Sequence, residues 1–381
     1  MTARVALMFL GVLLAACSST ARMPVLEPAL VDVPPEVTTI GVIDRSAPAN
    51  VGEHIIGTLE GILTGEAIGA NREGRASAVD ALVRALEESP RYRVVRPNLT
   101  PQQAGTGLFD RPLDHRAVQR ICREAGCDAL LSLEAFNSSS TIHFDGRTYP
   151  SLQQINAGSG PAELERNTRV LTAWRLYDAH DDRILDATRE FTRSRTWSRR
   201  ADTFDEAARG LASQLQTVRT LGGVAGYDFG RRIAPTWVTV TRRYYGGGNP
   251  ELRQARRYVR VNDWDGAASI WEDLQGHHRP RVVGKAAYNL ALSYEAQGQL
   301  QEALAQARQA SVVLHNPRTR GYVRSLERRI AAQERLERQM AEPEERPATS
   351  SREEPRERGD RDRSRSSKPD RDSGGTMRRP R

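Results

Sequence analysis

Apolar and polar positions along the chain fall into stretches of different period. Residues 5–14 form an uninterrupted apolar run, too short to cross a hydrocarbon core of roughly 30 Å as a helix. From Val37 the periods are those of a folded domain. Residues 37–44 (VTTIGVID) make a β-rich run that ends in polar residues, as a strand entering a loop does. Over 75–88 the apolar residues fall at Val79, Leu82, Val83 and Leu86, which is helical spacing. Pro90 closes that helix, and residues 92–96 follow as a strand. Asp114 stands as the N-cap of a helix to about Glu124, with Gly126 just past its end. Residues 128–136 (DALLSLEAF) predict a buried strand, and a polar loop follows through Gly160. Two alternating strands, 168–177 and 183–194, meet in a hairpin at 179–182. An amphipathic helix over 202–221, a second helical piece to about Ile233 and a strand over 237–244 complete the pattern. This order predicts a mixed α/β domain over 37–245, a mixed sheet with helices packed on it.

Gly246-Gly247-Gly248-Asn249 marks a boundary, and beyond it the period is helical and repeats. Ala255 and Tyr258 recur as Ala291 and Tyr294, an offset of 36 residues. Gly266-Ala267 is echoed by Ala303, and Asp263-Trp264 by Gln299-Leu300. Small residues at such points let the two helices of a hairpin approach, while the tyrosines fill the gap. In the second unit Leu290, Ala291, Tyr294, Gly298, Ala303, Ala307 and Ala310 follow the tetratricopeptide pattern. Pro317 opens a long polar helix to about Met340, suited to capping the array. The expectation is an all-α, tetratricopeptide-like helical-hairpin domain over 249–340 that leans on the α/β domain, because two units are fewer than usually fold alone.

The termini change the picture more than the bulk composition does. Residues 1–16 read as a processing signal: Arg4, the apolar run, then Leu14-Ala15-Ala16-Cys17. That last tetrapeptide looks like a lipobox, in which small residues admit the signal peptidase and Cys17 becomes the lipidated first residue, and this is favoured over an ordinary secretory signal with a chance cysteine. Ser18 after the cysteine is an outer-membrane address in many Gram-negative bacteria, so the expected location is the cell envelope, lipid-anchored in the outer membrane and facing the periplasm. Residues 17–36, rich in Pro and small residues, read as a spacer from the membrane. From Ala341 to Arg381 the chain is nearly all Arg, Glu, Asp, Ser and Pro, a composition expected to be disordered. Of the net +8, residues 356–381 carry +5, ten bases against five acids. Outside the cytoplasm such a tail meets anionic lipid or other acidic envelope polymers rather than nucleic acid, or stays solvated with no fixed partner.

Enzyme chemistry is absent at the level of motif. No HExxH, GxSxG, phosphate-loop or dinucleotide fingerprint occurs, so neither an enzyme nor a cofactor is expected. The glycine-rich stretch 57–74 lacks the lysine of a phosphate loop and carries Glu60 and Glu66, so tight packing on the sheet is favoured over anion binding. Cys122 and Cys127, five positions apart, are either two buried small hydrophobes, the slightly favoured reading, or a disulfide that an exported protein permits. They are not a CxxC pair, and no clustered His or Cys completes a metal site. His277-His278 and Asp181-Asp182 lie in expected turns. A small ligand of the α/β domain would sit at strand ends, at Asp44, Arg45, Arg96 and Asn98, although structural roles are favoured for each. The stronger binding expectation is a groove on the helical repeats lined by Leu252, Arg256, Arg260, Lys285, Tyr288, Asn289 and Leu292, fitted to an acidic peptide of an envelope protein.

VTTIGVIDRS, LEGILTGEAIG, GTGLFDRPLD, ICREAGCDALLSLEAF, AWRLYD, RYVRVNDWDGAASIWEDL and KAAYNLALSYEAQGQLQEAL together resemble a family of bacterial lipoproteins of unknown function, best represented in Bacteroidota. The likeness runs from about Val37 to Arg329 and leaves the tail outside. More coarsely, the α/β part resembles the amino-terminal domain of the Tol-system periplasmic protein and the curli-secretion lipoprotein. None of these resemblances supplies an active site. The functional expectation is an envelope scaffold or protein-interaction module working through its repeats. The alternative is an oligomeric secretion or envelope-assembly component built from the α/β domain, although Arg175, Arg183 and Arg189 interrupt the alternating strands and argue against lipid exposure there.

Overall fold

A computed structural model describes residues 18–46, 65–98, 109 and 111–341. The signal segment, Cys17, the glycines at 57 and 61 and the tail beyond Ala341 lie outside the described residues. The first element corrects the expectation of a spacer. β1 (Ser18–Glu27) is a strand, paired antiparallel with β8 (Thr236–Tyr245) from Ser18 opposite Tyr245 to Glu27 opposite Thr236. Its signal is a period of two, Ala21, Met23 and Val25, all buried, inside a run that its Pro, Ser and Thr residues disguise. Pro24 has no N–H to donate, which a two-stranded ribbon accommodates. β8 therefore leaves the main sheet and forms this separate ribbon.

The main sheet holds β2 (Thr39–Asp44), β3 (Arg93–Val95), β4 (Ala129–Phe144), β5 (Arg147–Tyr149), β6 (Ala162–Asp178) and β7 (Ile184–Ala201). Its order is β3-β2-β4-β6-β7, with β5 on β4. β2 is parallel to β3 and β4, while β6 and β7 continue antiparallel, so the sheet is mixed. The fold class is that of the sequence reading, mixed α/β followed by an all-α region.

β4, β6 and β7 run well past their predicted ends. The extensions are polar on one face: Asn137 and Ser139, Glu165 and Asn167, and Ser194, Thr196 and Ser198 are exposed there. The other face has a small core of its own, Ile142, Leu164, Ala207 and Leu211. Strands half covered in this way show no long apolar run, which is why the sequence reading stopped them early.

Helices cover the sheet on both faces. α1 (Gly65–Glu87) and α4 (Gln214–Ile233) share the larger core with Leu131, Leu133, Trp174 and Val42, and Trp174 stacks on Phe229 at 4.9 Å. α2 (His115–Ala125) packs on the opposite face against Ile43, Leu130 and Tyr177. Asp114 caps it, accepting from the Ala117 N–H at 2.8 Å, and Gly126 follows in the left-handed region at φ 71°. α3 (Phe204–Gly210) is separated from α4 by a break, so the predicted single helix over 202–221 is two. α1 and α4 meet backbone to backbone: a Cβ at Gly226 would run into the Ala78 carbonyl oxygen.

Beyond Asn249, α5 (Pro250–Arg260) and α6 (Trp264–Asp273) form one hairpin, and α7 (Pro280–Ala296) and α8 (Leu300–Leu314) a second; α9 (Pro317–Met340) closes the layer. The small residues at the repeat positions, Ala255, Ala267, Ala291 and Ala303, are fully buried. Residues 28–36 tie this layer to the α/β part. The Leu30 and Val31 N–H groups donate to the Arg232 carbonyl at the end of α4, while Gln339 of α9 exchanges hydrogen bonds with the Ala29 backbone. The described residues belong to one compact unit.

Candidate functional site

The predicted groove is not open. Leu252, Tyr288, Asn289 and Leu292 are buried, and what covers them includes the β1–β8 ribbon. Asn289 carries the contact: its Oδ1 accepts from the Tyr245 N–H and its Nδ2 donates to the Tyr245 carbonyl, both at 2.8 Å. A side-chain amide that satisfies both backbone groups of one residue is how an extended peptide is held whatever its side chains. Here the peptide is the chain's own β8. The Tyr288 ring packs at 5.2 Å from Tyr245 and 5.1 Å from Tyr322, and burial pushes its hydroxyl up to about 12. Residue types suited to gripping a peptide were legible in the sequence. The identity of the peptide was not, since nothing local marks residues 236–245 as returning to this face.

Of the expected groove cations, Arg260 is exposed, while Arg256 and Lys285 lie half-buried at the ribbon's end. A Cβ at Gly246 would lie 3.0 Å from Arg256 Cδ and 2.6 Å from Ser19 Oγ, and one at Gly248 would lie 3.1 Å from Lys285 Nζ. Lys285 and Arg318 both approach the Tyr245 ring, at 5.7 and 5.1 Å.

Sequence reasoning missed the strongest polar feature of this region. Glu295, whose side chain is fully buried, accepts from Arg242 of β8 at 2.7 and 3.0 Å, from Arg329 of α9 at 2.7 Å and from the Tyr322 hydroxyl at 2.8 Å. Burial alone would raise its carboxyl; the hydrogen bond and charge of Arg242, with Tyr322 and Arg329, outweigh that and hold it below the ordinary value. Ribbon, repeat and capping helix thus meet at one carboxylate. Its only sequence signal is a Glu on the apolar face of α7, three residues after Leu292.

A second buried charge cluster stands at the end of β2, where the order β3-β2-β4 places the crevice of a parallel sheet. Arg45 Nη1 meets Glu134 Oε2 at 2.7 Å, the Tyr177 hydroxyl donates to Glu134 Oε1 at 2.7 Å, and Arg175 Nη1 is 3.9 Å from Glu134 Oε1. Arg175 also donates to the Phe109 carbonyl and lies 3.9 Å over its ring. Burial, followed by the Glu134 charge, pushes the Tyr177 hydroxyl up to about 12. Of the four strand-end residues singled out above, only Arg45 joins this cluster. Asp44 closes a turn onto Ser46, Arg96 pairs with Asp80 at the surface, and Asn98 is exposed.

Cys122 and Cys127 are joined in a disulfide, so the favoured reading of two free thiols is corrected. The left-handed Gly126 turns the chain back, and the Cα atoms come within 4.5 Å, inside the range a bridge needs. His277 and His278 stack on each other in a turn. Arg183 bridges Asp178 and Asp181 at the hairpin tip. Among the described residues no group of three His, Cys, Asp or Glu side chains is placed to hold a metal ion. No helix among them is long and apolar enough to cross a membrane.

A family model described as a domain of unknown function (DUF8603) matches residues 37–245. A second, likewise a domain of unknown function (DUF6340), matches residues 253–328. No curated protein matches the chain. Among solved structures, the hypothetical protein CT253 from Chlamydia trachomatis is similar, at 9% identity over 52% of this chain and 93% of that one, with a TM-score of 0.19.

Proposed function

The chain belongs to the family described as a domain of unknown function, DUF8603, over residues 37–245, and from that premise we propose that it is a lipid-anchored scaffold of the cell envelope. The anchor is Cys17, behind the Leu14-Ala15-Ala16 lipobox, and the membrane is the outer membrane with the fold on its periplasmic side. One observation carries the reading: the residue after Cys17 already belongs to β1, which is paired over ten residues with β8 and seated on the helical layer. A cysteine that close to a folded ribbon has no free linker, so acyl chains on it hold the body against the bilayer.

The helical layer takes part by gripping β8, and the docking surface for envelope partners moves from the groove to the exposed parts of the molecule. No catalytic or cofactor role enters this reading. The test is metabolic labelling with a palmitate analogue. The wild-type chain should carry the label and fractionate with membranes, and Cys17→Ala should lose both. An unlabelled, soluble wild-type chain would sink the proposal.

A specific observation favours a second reading, self-assembly through the α/β part. Among the described residues β7 pairs only with β6, which leaves an edge of 18 residues open to strand addition. Sedimentation of the detergent-solubilised protein separates the two: a monomer at micromolar concentration argues against assembly, whereas a ring or a defined oligomer brings it forward.

A further inference from the structure

The end of the helical layer beside Ser18 is predominantly basic. The starts of α5, α7 and α9 lie at this end, as the contacts of Arg256 at Ser19 and of Lys285 and Arg318 at Tyr245 require. Residues 250–256, 279–285 and 317–320 contain Arg253, Arg256, Arg279, Arg281, Lys285, Arg318 and Arg320 against Glu251, and the end of α6 that leads into α7 adds the exposed acids Glu272 and Asp273. The turns at the opposite end, 260–266 and 296–302, hold one base, Arg260, against Asp263, Asp265 and Glu302. Arg253, Arg279, Arg281 and Arg320 are exposed. No carboxylate among the described residues pairs with any of these four or with Arg256 and Arg318. Ser18, the first residue of β1, pairs with Tyr245 at this end.

We propose that this basic end is a docking surface for anionic phospholipid headgroups, so that the helical layer stands end-on against the bilayer its anchor enters. Continuity with Cys17 selects a lipid surface over an acidic protein, because acyl chains entering the membrane one residue before Ser18 bring the headgroups to these side chains. Each base near an anionic surface strengthens binding by roughly fivefold, from about 1 kcal/mol apiece. The inference rests on the reading of Cys17 as the anchor. Loss of palmitate labelling would remove that reading, whereas the experiment below uses a chain without Cys17 and fails or succeeds by itself.

The experiment is flotation of a chain beginning at Ser18, which keeps every described residue and the Arg-rich tail, with phosphatidylglycerol–phosphatidylcholine vesicles. Arg253→Glu, Arg281→Glu and Arg320→Glu combined should weaken binding at least about tenfold. The control, Arg195→Glu, Arg199→Glu and Arg200→Glu on β7, makes the same change in net charge and should stay within about twofold of wild type. All six positions are exposed, and circular dichroism verifies the fold of both variants. Pure phosphatidylcholine vesicles should bind none of the three chains appreciably. Equal losses in both variants would show that net charge and tail act without a specific surface, and no loss in the first would show that this end does not meet lipid. Either result overturns the proposal.

Discussion

The sheet and the helical array close their cores by different physics. On the sheet, α1 and α4 touch through glycine and backbone, and the covering is apolar: Trp174 on Phe229, with Leu82, Leu131 and Val218 around them. In the array, small residues bring the helices together, yet the ribbon is fastened by polar groups, Asn289 to the Tyr245 backbone and Arg242 to Glu295. An apolar seal is strong but indifferent to what lies under it. A buried carboxylate and a buried amide accept only a strand that supplies the matching partners. The array therefore selects its strand by matched polar groups, whereas the sheet side selects its helices by the closeness of their backbones.

That contrast can be broken or sharpened by substitution. The largest effect is expected at Glu295. Glu295→Leu leaves Arg242 and Arg329 without their carboxylate and should destabilise the protein by about 3–5 kcal/mol, read from urea midpoints. The pH dependence follows from the same residue. A folded value below the ordinary 4.5 means its contribution is complete above that pH and fades as pH falls through the folded value. Thermal unfolding of wild type should thus weaken below pH 4.5 relative to Glu295→Gln, and parallel curves would contradict the ion network. Next comes Gly226→Ala, which drives a methyl into the Ala78 carbonyl and should cost about 3 kcal/mol by forcing α4 off α1. A neutral effect there would mean that the sheet side does not depend on the close backbone approach of α4 to α1.

Asn289→Ala is smaller, about 1–3 kcal/mol, since it orphans one N–H and one carbonyl of the ribbon. Its effect should be local, raising amide exchange in β8 while leaving the sheet unchanged. Smallest is Arg96→Ala at the exposed pair with Asp80, expected within about 0.5 kcal/mol by thermal denaturation.

Legibility in the sequence follows the same division. Elements with one apolar face declared themselves: β2, the Asp114-capped α2 and the helix from Pro317 are where their spacing puts them. β1 was hidden because three inward residues at period two, among Pro, Ser and Thr, look like a spacer. The outer halves of β4, β6 and β7 were hidden because a strand with one bare face carries little apolar signal. In the groove, side chains suited to holding a peptide were readable at Asn289 and Tyr288, but their partner lies 44 positions from Asn289 and shares no local pattern with it. The Cys122–Cys127 bridge depended on the turn at Gly126, a matter of backbone conformation rather than spacing.

The central claim is that the groove of the array is filled by the chain's own ribbon, which starts at Ser18. Amide hydrogen exchange of the protein tests it most directly, comparing Ser18–Glu27 and Thr236–Tyr245 with α7. Protection in both strands close to that of α7, falling in both together in Asn289→Ala, is the predicted result. Exchange of Ser18–Glu27 at the rate of an unstructured chain, with α7 still protected, would contradict it and return the groove to an outside partner.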